Sequence, residues 1–233
     1  MKFELCIESV DEALMAQSLG IQRVELCSAL DLEGLSPTFG YIKQCAEIPG
    51  IQVMAMIRPR SGDFCNSPSE AQIMLSDIEQ AAKAGAHGVV FGLLNSNGDL
   101  DSPLAKKLID HAKSFDLEVT FHRAFDLVND PFQCMEQLIE LGFDRILTSG
   151  QKPTAPEGID LIGKLVKQAD GRITIMPGAG IDATNALDFQ TIGCSEIHFA
   201  ARKALPWNEQ LNMGKMYQPD REKATGIVEL CRK

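Results

Sequence analysis

The chain has 233 residues, 22 of them basic and 32 acidic, for a formal net charge of −10. Hydrophobic residues make up 45% and charged residues 23%, a globular balance that excludes a disordered or fibrous chain. The negative charge argues against nucleic acid and anionic membrane as partners, and no stretch reaches the roughly 18 apolar residues of a membrane span.

The opening Met1-Lys2-Phe3-Glu4 carries no apolar signal core, so the expectation is a cytoplasmic chain. Strands are predicted near 2–8, 22–27, 51–58, 87–92, 117–122, 144–149, 172–177 and 195–200. A phrase of glycine, spacers and β-rich residues recurs before four of them: Gly20 to Leu26, Gly85 to Phe91, Gly142 to Thr148 and Gly193 to Phe199. Each glycine follows an amphipathic stretch and suits a helix end with positive φ. Helix starts are expected at Ser36-Pro37, Ser67-Pro68, Ser102-Pro103 and Asp130-Pro131, each an N-cap before proline, with Ser67 and Glu70 forming a capping box. Eight strands at about 29 residues per unit point to an α/β fold, a TIM-type (β/α)8 barrel in a single domain over 1–233. A doubly wound open sheet is the alternative, weakened because Gly178-x-Gly180 lacks a third glycine and comes late. The segment near 201–219 fits neither period and is expected as an irregular extended loop before a final helix.

Alternation along the strands assigns faces. Phe3, Leu5 and Ile7, Val24 and Leu26, Val53, Ala55 and Ile57, Val119 and Phe121, and Ile197 and Phe199 should pack outward on helices. That leaves an inward set of Cys6, Glu8, Glu25, Cys27, Arg58, Thr120, His122 and His198, most of it near the C-terminal strand ends, where barrels of this kind place their chemistry. A static plug, with Glu8 and Glu25 neutralising Arg58, is the competing structural account.

The phrases Glu4-Leu-Cys6-Ile-Glu8-Ser, Arg23-Val-Glu25-Leu-Cys27-Ser, Met56-Ile-Arg58-Pro-Arg60-Ser-Gly62-Asp63-Phe64, Thr120-Phe-His122-Arg123-Ala-Phe-Asp126, Leu147-Thr-Ser149-Gly150 and Met176-Pro-Gly178-Ala-Gly180-Ile together resemble the CutC family of copper homeostasis proteins, from residue 3 to about 202. Ser61 stands where that family commonly has a second glycine, and Cys65 where an apolar or aromatic residue is usual. The resemblance implies a cytoplasmic (β/α)8 barrel, a homo-oligomer with a dimer expected, and a link to copper handling. It also implies that Cys6 and Cys27 match cysteines proposed as copper ligands.

The residues allow two chemistries. Cys6 and Cys27 share parity on adjacent strands and could hold Cu(I), a soft ion that prefers sulfur, although free cysteine is also a common small core residue. No organic cofactor is expected. Alternatively, the mouth serves an enzyme acting on a small phosphorylated or carboxylated metabolite. Glu8, Glu25, His122 and His198 would then be its acid–base groups. Arg58, Arg60 and Arg123 would hold the anion, and Ser149, Gly150, Gly178, Gly180 and Arg202 would form a phosphate pocket after strands 6 to 8. Asp126 could orient Arg123 or cap the next helix, and the cap is favoured. Trp207 could cover a barrel end, and the isolated Met213-x-x-Met216 carries little weight as a soft-ligand motif.

Overall fold

The structure, a computed structural model, describes residues 1–206 and 214–232. Trp207 and Met213 lie outside the described residues. Eight strands alternate with helices: β1 Lys2–Ile7, α1 Val10–Ser18, β2 Arg23–Leu26, α2 Phe39–Ala46, β3 Gln52–Met56, α3 Pro68–Lys83, β4 Gly88–Phe91, α4 Ser102–Lys113, β5 Glu118–Phe121, α5 Pro131–Leu141, β6 Arg145–Thr148, α6 Ile159–Ala169, β7 Thr174–Pro177, α7 Ala186–Thr191 and β8 Glu196–Ala200. All ladders are parallel, in the order β7-β6-β5-β4-β3-β2-β1-β8, and β7 lies alongside β8 to bring the sheet round into a near-closed (β/α)8 barrel. Each observed strand falls within the range expected from sequence.

The segment after β8 differs from expectation. Arg202–Leu205 (β9) and Met216–Pro219 (β10) pair antiparallel before the final helix α8, Arg221–Cys231. The ribbon is half exposed, so no apolar alternation marks it in the sequence.

Local signals hold where their chemistry is complete. Ser67 and Glu70 close the capping box of α3, and Asp130 caps α5 ahead of Pro131. Gly142 ends α5 at φ 89°, a left-handed position where a side chain would be strained, and Gly20, Gly85 and Gly193 share that region. Two caps fall elsewhere. Asp101, not Ser102, caps α4, and α2 begins beyond Pro37, at Phe39. Ser36 instead donates to Asp77 and accepts from the backbone N–H of Arg58.

The face assignment holds. Phe3, Leu5, Ile7, Val24, Leu26, Val53, Ala55, Ile57, Val119, Phe121, Ile197 and Phe199 belong to the layer packed between strands and helices. A separate cluster of Cys6, Cys27, Met54, Met56 and Val90 fills part of the barrel interior. Beside it lie buried charges. Arg23 pairs with Glu4 at 2.6 Å and with Glu196, and Arg145 pairs with Glu196 at 3.0 Å and with Glu118.

Candidate functional site

A cavity of about 520 Å3 opens at the C-terminal ends of the strands. It reaches down to Cys6 at the end of β1, Glu25 on β2, Cys27 just past β2 and His198 on β8. The register explains the meeting. Cys6 stands opposite Glu25 across β1 and β2, and opposite Ala200 across β1 and β8, two residues beyond His198. The two Sγ atoms and a Glu25 carboxylate oxygen lie within 4.8 Å of one another.

The charges at this floor are set by its partners. Burial opposes ionisation of Glu4, but the Arg23 guanidinium and His198 outweigh it and hold the carboxyl at about 2. Glu4 Oε1 sits 2.9 Å from His198 Nδ1. Burial also opposes the charged form of His198, yet the Glu25 carboxyl, the Cys6 sulfur and Glu4 hold its imidazole well above the ordinary value. A hydrogen bond from Cys27 brings Cys6 down to about 5 against burial, with His198 helping. Cys27 is correspondingly pushed up by its bond to Cys6 and by burial, and its Sγ lies 3.6 Å from Glu25 Oε2. Burial pushes Glu25 well up, and its Oε1 has no hydrogen-bond partner. The floor at neutral pH therefore holds a Cys6 thiolate facing His198, whose protonated form its neighbours favour, with the Cys27 thiol and the Glu25 carboxyl beside them.

The other expected residues divide. Arg58, His122, Arg123, Gly180 and Arg202 line the same cavity as Cys6, Glu25, Cys27 and His198. Arg58 commits Nη1 to the carbonyls of Leu32, Glu33 and Gly34 and Nη2 to that of Gly62, while its buried Nε has no partner. As an acid–base group, His122 would have to titrate near neutrality. Burial, then Arg58, pushes it to about 3, and its Nδ1 accepts from the Ala124 N–H, leaving a neutral ring whose Nε2 carries the proton.

Glu8, Arg60, Ser149, Gly150 and Gly178 are not among the lining residues. Glu8 accepts from Arg202 at 2.5 Å and from the Leu30 N–H. Arg60 turns away to Asp63 and Glu70, because β3 ends at Met56 and strand alternation does not continue through Pro59. Ser149 Oγ is bound to Asp126, Arg123 and the Lys152 carbonyl. Gly150 packs on Gly158, whose carbonyl oxygen lies 2.3 Å from where a Cβ would stand. The Gly178 N–H is committed to the Thr148 carbonyl. Asp126 is not a helix cap. It binds Arg123, Thr148 Oγ1 and the N–H groups of Ser149 and Gln151.

Alternation puts Glu4 inward with Cys6, though outside the candidate set, and Arg23, Ala179 and Lys223 were not singled out from sequence. Glu4 shares the parity of Cys6, and Arg23 that of Glu25, so the signal for these two was present one step earlier on the same strands. Lys223 comes from the first turn of α8 and reaches the mouth only because that helix packs back against the barrel.

Residues 1–203 match the profile of the CutC family. A CutC-type protein of Glaesserella parasuis is 47% identical over 203 residues, covering 87% of this chain and 83% of that one. One of Histophilus somni is 42% identical over 99% of both chains. Among solved structures, a candidate copper homeostasis protein CutC from Streptococcus agalactiae superposes with a TM-score of 0.80 at 35% identity, covering 85% of this chain and 98% of that one. A 3-hexulose-6-phosphate synthase from Salmonella typhimurium, 17% identical with a TM-score of 0.61 over 99% and 98% of the two chains, shares the barrel fold.

Proposed function

The chain belongs to the CutC family, and on that premise we propose that it is a cytoplasmic protein that binds Cu(I) through Cys6 and Cys27 and serves copper homeostasis. One observation carries this reading: two sulfurs and a carboxylate oxygen within 4.8 Å at the floor of an open cavity. Thiolate donors suit a soft monovalent ion better than imidazole or carboxylate does. Met56, in the same interior cluster, offers a thioether beside the pair. Cys6 is already poised as a thiolate, whereas Cys27 must lose its proton to bind a metal. Anaerobic titration with Cu(I) against a competing chelator, with proton release followed at pH 7, tests the reading. One Cu(I) per chain should bind, with release of about one proton. Cys6→Ser/Cys27→Ser should weaken binding by more than about 100-fold, since loss of an outer-shell partner alone costs 10–100-fold. Wild-type-like affinity in that double variant rejects the proposal.

A second reading, an enzyme or binder for a small anionic metabolite, is favoured by the unpartnered Nε of buried Arg58. The cavity volume lies within the range of small-molecule sites and far exceeds the needs of a single ion. Under this reading His198 is the acid–base group. His122, neutral with its proton on Nε2, acts as a hydrogen-bond donor. Thermal unfolding against a panel of small carboxylates and phosphates tests it, and stabilisation that disappears in Arg58→Lys is the expected result.

A further inference from the structure

Four basic side chains line the mouth; Arg123 is paired with Asp126 and Arg202 with Glu8, and the anion donors left stand on two walls. Arg58 follows β3, and the turn Ala179 to Ile181 follows β7. In the strand order the two are four places apart in a ring of eight, which sets them on opposite sides of the cavity.

On the first wall, Arg58 is only 7% exposed, and its two terminal nitrogens are held by four backbone carbonyls at 3.0–3.1 Å. The Phe64 ring lies 5.0 Å from its guanidinium carbon. The fork is thus fixed with its Nε–H buried, and it has no carboxylate within ion-pair distance among the described residues, so its charge at the cavity wall is one that an anion would neutralise. On the second wall, Ala179 and Gly180 both have left-handed backbone, at φ 77° and 75°. For alanine that conformation is strained, and the Ala155 N–H bound to the Ala179 carbonyl helps to hold it. The carbonyl of Gly180 is taken by the Asn185 amide. The N–H groups of Ala179, Gly180 and Ile181 make no hydrogen bond within the described residues. Lys223 lines the cavity and makes no ion pair among the described residues. Of the acidic lining, Asp126 is committed to Arg123, Thr148 and Ser149, Glu25 lies at the floor beside Cys27, and Glu33 is exposed at the rim near Arg58.

We propose that the cavity takes a small two-headed organic anion, with one acidic group beside the Arg58 guanidinium and the other on the Ala179–Ile181 turn and Lys223. Its short carbon chain passes between them over Cys6 and His198. This rests on the anionic-ligand reading and is independent of copper.

Calorimetric titration at fixed ionic strength with two matched pairs of probes tests it: succinate against butyrate, and 3-phosphoglycerate against glycerol 3-phosphate. The two-headed member of at least one pair should bind about tenfold tighter or better, the equivalent of one additional ionic contact. Arg58→Lys and Lys223→Gln should each erase that advantage. Because Arg58 also holds the Leu32–Gly34 backbone, the exposed Lys223→Gln variant, with its unfolding midpoint unchanged, carries the test if the Arg58 variant folds poorly. Equal affinity within both pairs overturns the two-headed ligand while leaving the anionic-ligand reading standing. No saturable binding of any of the four probes overturns both. A two-headed advantage untouched by either substitution places binding elsewhere and overturns the proposal.

Discussion

His198 and His122 line the same cavity and are driven in opposite directions, one by acidic neighbours and the other by burial beside an arginine. Glu4 is one of the groups that raise the first, after Glu25 and Cys6. Its folded value lies below the ordinary 4.5, so its stabilisation is present above 4.5 and lost as pH falls toward about 2. His198 is raised above 6.5, so its stabilisation is complete below 6.5 and lost as pH rises through the folded value. Both are complete between 4.5 and 6.5, and Glu4→Gln should destabilise most within that window, measured by urea unfolding from pH 3 to 9. Gly92 has a different constraint: an added Cβ would lie 2.4 Å from His122 Nδ1 and 2.7 Å from the Ala124 Cβ. Gly92→Ala should cost about 1–3 kcal/mol of unfolding free energy, as overpacking does. Strand parity made Cys6, Cys27, Glu25 and His198 legible in the sequence. Parity says which face a side chain takes and nothing of its depth, so Glu4 and Arg23 carried the same signal without being distinguished. Arg60 was misplaced because parity has no meaning after a strand has ended.

At the scale of elements, the strands were legible because burial on both faces leaves short apolar runs between glycine and helix signals. The connections above the barrel were less so, because their geometry comes from side chains binding distant backbone. Asp126 is the clearest case. It sits in the short 3-10 helix Arg123–Leu127 after β5 and gathers Thr148, Ser149 and Gln151 from the loop after β6. Nothing local in the sequence separates that role from a helix cap, a role Asp130 fills four residues later. Asp126→Ala should free Arg123 and the loop after β6 together. The expected cost is about 1.5–3 kcal/mol, that of hydrogen bonds to a charged group. Faster amide exchange at Ser149 and Gln151, with the β1–β2 amides unchanged, would distinguish this local loosening from global destabilisation.

For the whole molecule, closure of the barrel is the problem the interior charges address. No ladder joins β7 to β8, so hydrogen bonding alone leaves a seam. Glu196 on β8 bridges it from within by pairing with Arg23 on β2 and Arg145 on β6, and the Arg23 guanidinium also touches Met176 Sδ on β7 at 3.3 Å. Arg145 carries the connection on to Glu118 on β5. Such a network is costly to assemble in place of apolar layers, but removing one carboxylate strips a buried partner from each arginine it served, with Arg23 left to Glu4 and Arg145 to Glu118. Glu196→Gln would set Arg23 and Arg145 against each other, and the expected loss is about 3–5 kcal/mol, nearly independent of salt because the pair is shielded from counterions. Glu136, which pairs with Arg172 on the exposed helical surface, supplies the contrast. Glu136→Gln should cost far less, and that loss should shrink in high salt. Denaturant unfolding of both variants at low and high ionic strength separates the two cases. If Glu196→Gln proved as mild and as salt-sensitive as Glu136→Gln, the interior charges would not be what holds the seam.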